Sequence, residues 1–406
     1  MTSASREKTA ATYMETLCTH LLDRRVGSPG NRAATDLVSR ILSGFGFETC
    51  SQPFDCIDWC SDGVRLVAGA DRFEAFVSPY SLGGYVHAPL KVASTVEALE
   101  DAELAGALLL LEGDLAKEPL MPKSFPFYNP EEHQRIVRAL ETKEPAAIIA
   151  ATSRHPDMAG AVYPFPLIED GDFDIPSVYM TEEEGARLAA HADEPVSLDI
   201  RAMRRAAEGW NVIGTKGDNV HSKVVFFAHV DSKAGSPGAL DNASGVVVLL
   251  LLAELLADYA GELLVEIVAL NGEDYYSNPG EQAYLAGSAG AFGDIVLGVN
   301  LDGVGYRHGG TAYSLYHCPS ETGELIERTF APHAGLIEGE PWYQGDHMLF
   351  LMNEVPAVAI TSEQVKHILS HIVHTPEDSP DTVDVSKLAR TALALQDLVL
   401  QLDRSV

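Results

Sequence analysis

Near-continuous apolar runs, separated by helical stretches, dominate the second half of the chain. Four of these runs have the length of buried strands: VVFFAH, LLVEIVAL, IVLGVNL and AVAIT. Strands that are apolar on both faces and joined by helical crossovers are typical of a mainly parallel sheet covered by helices. The pattern therefore predicts an α/β domain with a mainly parallel, mixed sheet flanked by helices.

Two helices are predicted from the same pattern. Apolar residues recur at helical spacing over 33–42, and Gly44 is placed to end that helix. The run 246–257, VVVLLLLAELLA, is the most apolar stretch of the chain. It is too short to cross a bilayer and contains Glu254, so we expect a helix buried inside the protein.

The pattern of apolar and polar residues changes between residues 56 and 203. Short apolar runs alternate there with proline-rich stretches such as KEPLMPKSFPFYNPEEH, a pattern that favours a smaller, β-rich unit with long loops. A chain of 406 residues is also long for one compact domain. We therefore predict one domain formed by 1–55 and 204–406, with 56–203 inserted into it.

The composition argues against some classes of binding partner, and it does not indicate the oligomeric state. Lys and Arg total 28 against 59 Asp and Glu, a formal charge of −31 that argues against nucleic acid and anionic membranes. The chain starts without the apolar core of a secretory signal, so a cytoplasmic location is expected. Five cysteines without zinc-ribbon spacing predict free thiols in a reducing compartment, and a disulfide between Cys56 and Cys60 is the alternative.

Histidines and carboxylates gather where the predicted strands end. In open α/β sheets, sites form at the carboxyl ends of the strands. The residues at these ends and in the loops after them are His229, Asp231, Asp241, Glu273, Asp274, Asp302 and His374. Each alone has a simpler explanation; Asp241, for example, could cap the helix that follows it. Together they place so much negative charge at one edge that a cation is needed.

The residue types indicate which cation. Imidazole and carboxylate without thiolate suit Zn²⁺, with Co²⁺ or Mn²⁺ as alternatives. Five ligands are too many for one tetrahedral ion with an open position. They suit two divalent ions, about 3.5–4 Å apart, that share a bridging carboxylate. One further carboxylate must then stay free of metal to move a proton.

The ordered motifs resemble a known family. The series AHVDS, PGALDNASG, LNGED, NLDGVG, GDHMLF and HTPED is similar to the co-catalytic di-zinc exopeptidases. That family includes bacterial leucine aminopeptidases and glutamate carboxypeptidase, and glutaminyl cyclases are related to it. The resemblance covers residues 204–406 in order, together with GSPGN near the N-terminus.

The resemblance implies a role for each metal ligand. His229 and Asp302 would hold one ion, while His374 and Asp274 would hold the other. Asp241 would bridge the two ions.

The same resemblance assigns the catalytic and substrate-binding residues. Glu273 would be the general base and acid that activates a metal-bridging water. Asp231 would accept a hydrogen bond from His229 and so fix the tautomer of that ring. Asp346 and His347, in the GDHMLF motif, are candidate substrate-binding residues. The family also commonly has a cis peptide after the bridging aspartate, here Asp241–Asn242.

Two positions depart from the family pattern. Relatives usually have Glu where this chain has Asp274, which shortens the arm of that ligand. Many also have a Tyr before the final His, where its hydroxyl steadies the tetrahedral intermediate; this chain has Val373. His347 is a candidate replacement for that donor, and a structural role or a substrate contact is its alternative.

The final ligand also has a competing interpretation. His367, His371 and His374 are spaced i, i+4 and i+7, which predicts one helical face. A solvated histidine stripe accounts for the first two. The family position favours metal ligation for His374.

The resemblance implies a metal-dependent exopeptidase that acts on peptides or small aminoacyl substrates. Within that class, an aminopeptidase is the first hypothesis. A carboxypeptidase or another amide hydrolase is the alternative on the same site. Cyclase chemistry is disfavoured because cyclases lack part of this ligand set. A non-enzyme alternative is a receptor-like binding protein, as the transferrin receptor is among the relatives.

Residues 56–203 resemble the protease-associated domain that several relatives carry.

Overall fold

The computed structural model describes residues 3–343 and 345–405. The chain forms two compact units. The first comprises the chain up to Cys56 together with the chain from Glu208 onward, and the second comprises Ile57–Ala207. The predicted boundaries, after residues 55 and 203, lie within a few residues of these.

The elements follow in chain order. The α-helices are α1 (Ser3–Glu15), α2 (Pro29–Gly44), α3 (Val96–Asp101), α4 (Glu131–Lys143), α5 (Glu182–Ala189), α6 (Ser244–Leu255), α7 (Pro279–Gly287), α8 (Ser320–Phe330), α9 (Met348–Leu351), α10 (Val365–His371) and α11 (Val385–Asp403). The strands are β1 (Glu48–Ala68), β2 (Asp71–Phe73), β3 (Phe76–Val77), β4 (Gly84–Ala93), β5 (Leu108–Leu111), β6 (Ala147–Thr152), β7 (Ser177–Thr181), β8 (Pro195–Lys216), β9 (Asn219–His229), β10 (Leu263–Leu270), β11 (Ile295–Leu301), β12 (Thr311–Tyr316), β13 (Leu336–Glu338) and β14 (Ala357–Ser362).

The sheet of the first unit has the strand order β13-β12-β14-β11-β9-β10-β8. Its four central strands are parallel, since β9 pairs with β10 and β11, and β11 pairs with β14, in that sense. Antiparallel pairs of β12 with β14 and of β8 with β10 make the sheet mixed. All four predicted strands are present, and the predicted fold class is confirmed.

Helices α2 and α6 also match the predictions. Helix α6 buries every residue from Ser244 to Ala253, because its sequence offers no polar face. Helix α2 starts with Pro29 in its first turn, where the missing N–H costs nothing, and ends at Gly44. Among the described residues, no helix combines the length and the apolar character needed to cross a membrane.

The second unit has a core of four parallel strands. Strands β4, β5, β6 and β7 pair in parallel, and β3 and β8 add antiparallel strands at the two edges. Strands β5 and β6 are buried along their full length. Such strands need cover on both faces. The unit therefore carries the helices α3, α4 and α5 and is α/β rather than simply β-rich; its likeness to a protease-associated domain stays a prediction.

All five cysteines lie in the described part of the chain, and none of them forms a disulfide. Cys18 is buried, and this burial raises the pKa of its thiol to about 11.

Candidate metal centre

The sheet brings the predicted site residues to one edge. His229 is the last residue of β9 and pairs with Leu270, the last residue of β10. Glu273 follows β10 by three residues, and Asp302 directly follows β11. Because β9, β10 and β11 are parallel neighbours, their carboxyl ends deliver these three side chains to the same place.

Asp241 occupies the centre of the group. It lies in the irregular turn Ala239–Ala243, just before α6, and the peptide bond to Asn242 is cis, as the resemblance implies. One carboxylate oxygen of Asp241 lies 3.1 Å from Nε2 of His229, and the other lies 3.1 Å from Nε2 of His374. A single carboxylate thus faces both imidazoles.

His374 reaches the site from outside a helix, which corrects one prediction. Helix α10 ends at His371, so His367, His371 and His374 do not share a continuous helical face. His374 has φ +62°, a left-handed conformation that few residues other than glycine adopt. Its Nε2 lies 3.0 Å from Oδ1 of Asp274, so the shorter aspartate still reaches its partner.

His367 and His371 remain on the surface. Both rings are exposed and stack on each other, with ring centroids 4.6 Å apart. This arrangement agrees with a solvated histidine pair rather than with additional ligands of the buried group.

Several buried polar atoms of the group lack a hydrogen-bond partner. Both ring nitrogens of His229 and Oδ2 of Asp274 are in this position, although His229 is only 1% exposed. Buried polar atoms are normally paired, and an unpaired one costs about 1–3 kcal/mol. One potential ligand atom from each of His229, Asp241 and Asp274 lies within 4.8 Å of the others. Imidazole and carboxylate donors so arranged fit a divalent metal ion.

The pKa values of the group also favour a bound divalent cation. Burial raises the pKa of Asp302 to about 7; the imidazole of His229 opposes this shift, and the carboxylate of Asp241 adds to it. Burial alone lowers the pKa of His374, but the adjacent Asp274 and Asp241 raise it to about 10. Carboxylates and imidazoles that retain protons beyond their usual range form a site where a divalent cation can replace those protons.

Glu273 stands slightly apart from the shortest contacts. Its Oε2 lies 4.0 Å from Nε2 of His229, and its side chain is 28% exposed, against 4% for Asp274. Burial, together with the charges of Asp274, Asp241 and Asp302, raises the pKa of Glu273 well above its usual range, while the charge of His229 acts against this. The two acids of LNGED therefore occupy different environments.

Asp231 contacts two of the segments that carry candidate ligands. Its carboxylate accepts hydrogen bonds from the backbone N–H groups of Gly272 and Asp274, at 2.7 and 3.0 Å. The same carboxylate lies 3.6 Å from Nδ1 of His229, on the side of the ring that faces away from Asp241. Asp231 is thus placed to orient the imidazole and the loop of Asp274 together.

We expect Asp231→Asn to weaken metal binding by about 10–100-fold, as removal of such an orienting group typically does. The amide NH₂ would face one of the two backbone N–H groups and leave it unpaired. Metal titration of the metal-free variant measures the effect. Asp170→Asn is a matched control, because Asp170 also accepts two backbone N–H bonds while buried in the second unit. Equal metal affinities in the two variants would contradict the role.

The two candidate substrate-binding residues, His347 and Asp346, are both buried, but burial shifts their pKa values in opposite directions. His347 is fully buried; its Nε2 donates to the carbonyl of Trp342 at 2.8 Å, and burial lowers its pKa to about 4. This enclosed position favours a structural role for His347, and its contact with substrate stays a prediction. Asp346 is also buried, and burial together with the charges of Glu281 and Glu273 raises its pKa well above its usual range. Its contact with substrate stays a prediction.

Two residues near the ligands have no counterpart in the sequence reasoning. Asp378 is fully buried and accepts the backbone N–H groups of Leu240 and Asp241, at 2.7 and 3.1 Å. Lys233 donates to the carbonyl of Asp274 at 2.8 Å. In the sequence, Asp378 could have been identified only from its place in the HTPED motif. Lys233 could have been identified only from its closeness to the predicted ligands. Val373 is buried and offers no side-chain donor in place of the tyrosine of relatives.

Comparison with known proteins finds one matching family and several similar proteins. Residues 211–399 match peptidase family M28. The chain is 27% identical over 246 residues to a protein of Mycobacterium tuberculosis named "Probable lipoprotein aminopeptidase", covering 58% of this chain and 45% of that protein. It is 26% identical over 223 residues to leucine aminopeptidase 2 of Trichophyton rubrum, covering 47% of this chain and 43% of that protein. The chain thus spans less than half of these relatives.

Solved structures share the fold over nearly the whole chain. An aminopeptidase of an Aneurinibacillus strain matches with a TM-score of 0.74 and 22% identity, covering 97% of this chain and 93% of that one. A zinc aminopeptidase of Bacillus subtilis matches with a TM-score of 0.73 and 18% identity, covering 97% and 94%. At these identities the likeness establishes the common architecture.

Proposed function

Because residues 211–399 match peptidase family M28, we propose that this chain is a metal-dependent aminopeptidase that removes N-terminal residues from peptides. The observation that carries the proposal is the position of Asp241. Its two carboxylate oxygens face two different imidazoles, those of His229 and His374, at 3.1 Å each. That arrangement supports two divalent ions bridged by one carboxylate, with Zn²⁺ favoured by the donor set.

The ligands divide into two groups around Asp241. His229 has Asp302 nearby, with Nε2 of the ring 3.9 Å from Oδ1. His374 has Asp274 at 3.0 Å on its other side. We assign His229 and Asp302 to one ion, His374 and Asp274 to the other, and Asp241 to both.

The metal ions, when bound, supply Lewis-acid polarisation of the peptide carbonyl and lower the pKa of water. Glu273 supplies the proton transfer. It belongs to neither ligand group, and its side chain is more exposed than that of Asp274. We assign it to accept the proton of the attacking water at its carboxylate and to deliver that proton to the leaving amine.

The orienting residues keep this arrangement in place. Asp231 holds the loop of Asp274 by hydrogen bonds, and its carboxylate faces Nδ1 of His229 at 3.6 Å, where we assign it to orient the ring. Asp378 holds the backbone of Asp241 through the N–H groups of Leu240 and Asp241. These contacts hold the proposed ligands in place before substrate arrives.

A panel of small substrates tests the proposal. We expect hydrolysis of dipeptides and aminoacyl anilides with a free N-terminus, and at least about a hundredfold slower hydrolysis of their N-acetylated forms, since an aminopeptidase recognises the free amine. Removal of metal by a chelator should stop the reaction, and added Zn²⁺ should restore it. Cleavage of N-blocked peptides from the C-terminus would instead identify a carboxypeptidase. Full activity after verified loss of metal would refute the metal-dependent function.

A further inference from the structure

We propose that Arg24 and Asn31, in the N-terminal stretch RRVGSPGN, are positioning residues for the two loops that carry the metal ligands. Neither residue lies among the ligands themselves. Arg24 fixes the distance between the end of β9 and the turn of Asp241, and Asn31 fixes the loop of Glu273 and Asp274. The inference rests on the proposed metal-dependent function and adds residues that the ligand motifs do not contain.

Arg24 is fully buried, and its guanidinium donates to backbone carbonyls from three parts of the chain. The acceptors are Leu17 at 2.8 Å, Val230 at 3.0 Å, Pro237 at 3.0 Å and Gly238 at 2.8 Å. None of these four acceptors is a carboxylate, so the arginine serves to tie backbone segments together rather than to form a simple ion pair.

The acceptors lie directly beside the ligands. Val230 stands between His229 and Asp231, and Gly238 precedes Asp241 by three residues. One planar group thus connects the strand end that carries the imidazole to the turn that carries the bridging carboxylate. A lysine at position 24 could keep the charge, but it could not reproduce several donors at fixed angles.

Gly238 shows how closely Arg24 fits this turn. The glycine has φ +60°, and a Cβ atom added there would lie 2.7 Å from Nη2 of Arg24. The turn therefore approaches the guanidinium more closely than any residue with a side chain allows. The backbone N–H of Asp241 also donates to Asp378, whose charge interacts with Arg24.

Asn31 makes the second connection. Its side-chain amide forms a reciprocal pair with that of Asn271, with N···O distances of 2.8 and 2.9 Å. Asn31 also donates to the backbone carbonyl of Arg24 at 2.9 Å. Asn271 precedes Glu273 by two residues, and both asparagines are 1% exposed. The N-terminal stretch therefore reaches both ligand loops through buried, fully directional bonds.

Ser28 keeps this stretch in shape. Its hydroxyl accepts from the N–H of Asn31 at 3.0 Å and donates to the carbonyl of Asp23 at 2.7 Å. A Cβ atom on Gly30 would lie 2.0 Å from that same carbonyl. The motif GSPGN is thus explained as the start of α2 that holds Asn31 against Asn271.

The test compares Arg24→Lys and Asn31→Ala with a matched control, Lys223→Met. Lys223 is a buried cation of the same unit, bound to the carboxylate of Glu266 at 3.1 Å. It precedes His229 by six residues on β9, and neither Lys223 nor Glu266 is a proposed ligand. Metal-free protein is titrated with Zn²⁺, and its thermal unfolding is recorded. We expect at least about a tenfold loss of Zn²⁺ affinity in both test variants. The control should lose stability but keep the wild-type affinity.

Cobalt gives a second readout that a general loss of stability does not move. The visible absorption of Co²⁺ depends on the geometry of its ligands, so the bands of the Co²⁺ protein should shift in Arg24→Lys and stay unchanged in Lys223→Met. If Arg24→Lys does not fold, Asn31→Ala decides the question alone.

Two results would count against the inference. Wild-type Zn²⁺ affinity and unchanged cobalt bands in the test variants, with lowered unfolding temperatures, would show that both residues serve stability only. In that case the proposed function stands. A wild-type protein that binds no Zn²⁺ would refute the proposed function and this inference together.

Discussion

Glu273→Gln is expected to abolish turnover while the protein still binds its metal. General acid–base catalysis by a positioned side chain typically contributes about 10²–10⁴-fold, and glutamine cannot accept the proton. The isosteric amide keeps the shape of the side chain, and Glu273 makes none of the contacts near 3 Å that join His229, His374, Asp241 and Asp274. Steady-state kinetics on a free-amine anilide and metal analysis of the same sample measure both effects.

Asp274→Ala is the comparison for this variant. Asp274 is the neighbouring acid of the same loop, but it faces His374 at 3.0 Å. It should therefore lose metal as well as activity. Unchanged turnover in Glu273→Gln would refute its role as the base. Loss of metal in Glu273→Gln would instead make it a ligand and contradict the division of roles between the two acids.

Asp241→Ala is expected to have the largest effect on metal content. Its carboxylate is shared by His229 and His374, so its removal takes a ligand from both proposed ions at once. The variant should be purified almost free of metal, should be inactive, and should not recover on addition of Zn²⁺. Metal analysis and activity measurements across a Zn²⁺ titration test this.

Thermal unfolding adds a measurement that does not depend on activity. A ligand that binds only the folded state stabilises it by about 2.7 kcal/mol at a concentration of 100 times its Kd. Added Zn²⁺ should therefore raise the unfolding temperature of the wild type and leave that of Asp241→Ala unchanged. Asp302→Asn is the graded control, since Asp302 lies near only one of the two imidazoles within 4 Å. Equal metal content in Asp241→Ala and the wild type would contradict the bridging role.

The distinction between ligands and orienting residues explains how much of the site is visible in the sequence. His229 ends a long apolar strand, and Asp274 and Asp302 follow two others. Asp241 lies in the turn just before a helix. Parallel strands carry such residues to one edge whatever the details of packing. His374 follows a short helix instead, and it reaches Asp241 because its backbone adopts a left-handed conformation. Periodicity alone placed it wrongly on a continuous helical face.

The chain by itself determined the strand pattern, the fold class and the candidate ligands, because apolar runs and the residues after them are local features. The tertiary structure alone decided that Asp241 lies between two imidazoles and that Arg24 bonds to Val230, 206 positions away. It also decided that His347 is enclosed and neutral. These properties depend on distances and burial between segments remote in sequence, which a local pattern does not encode.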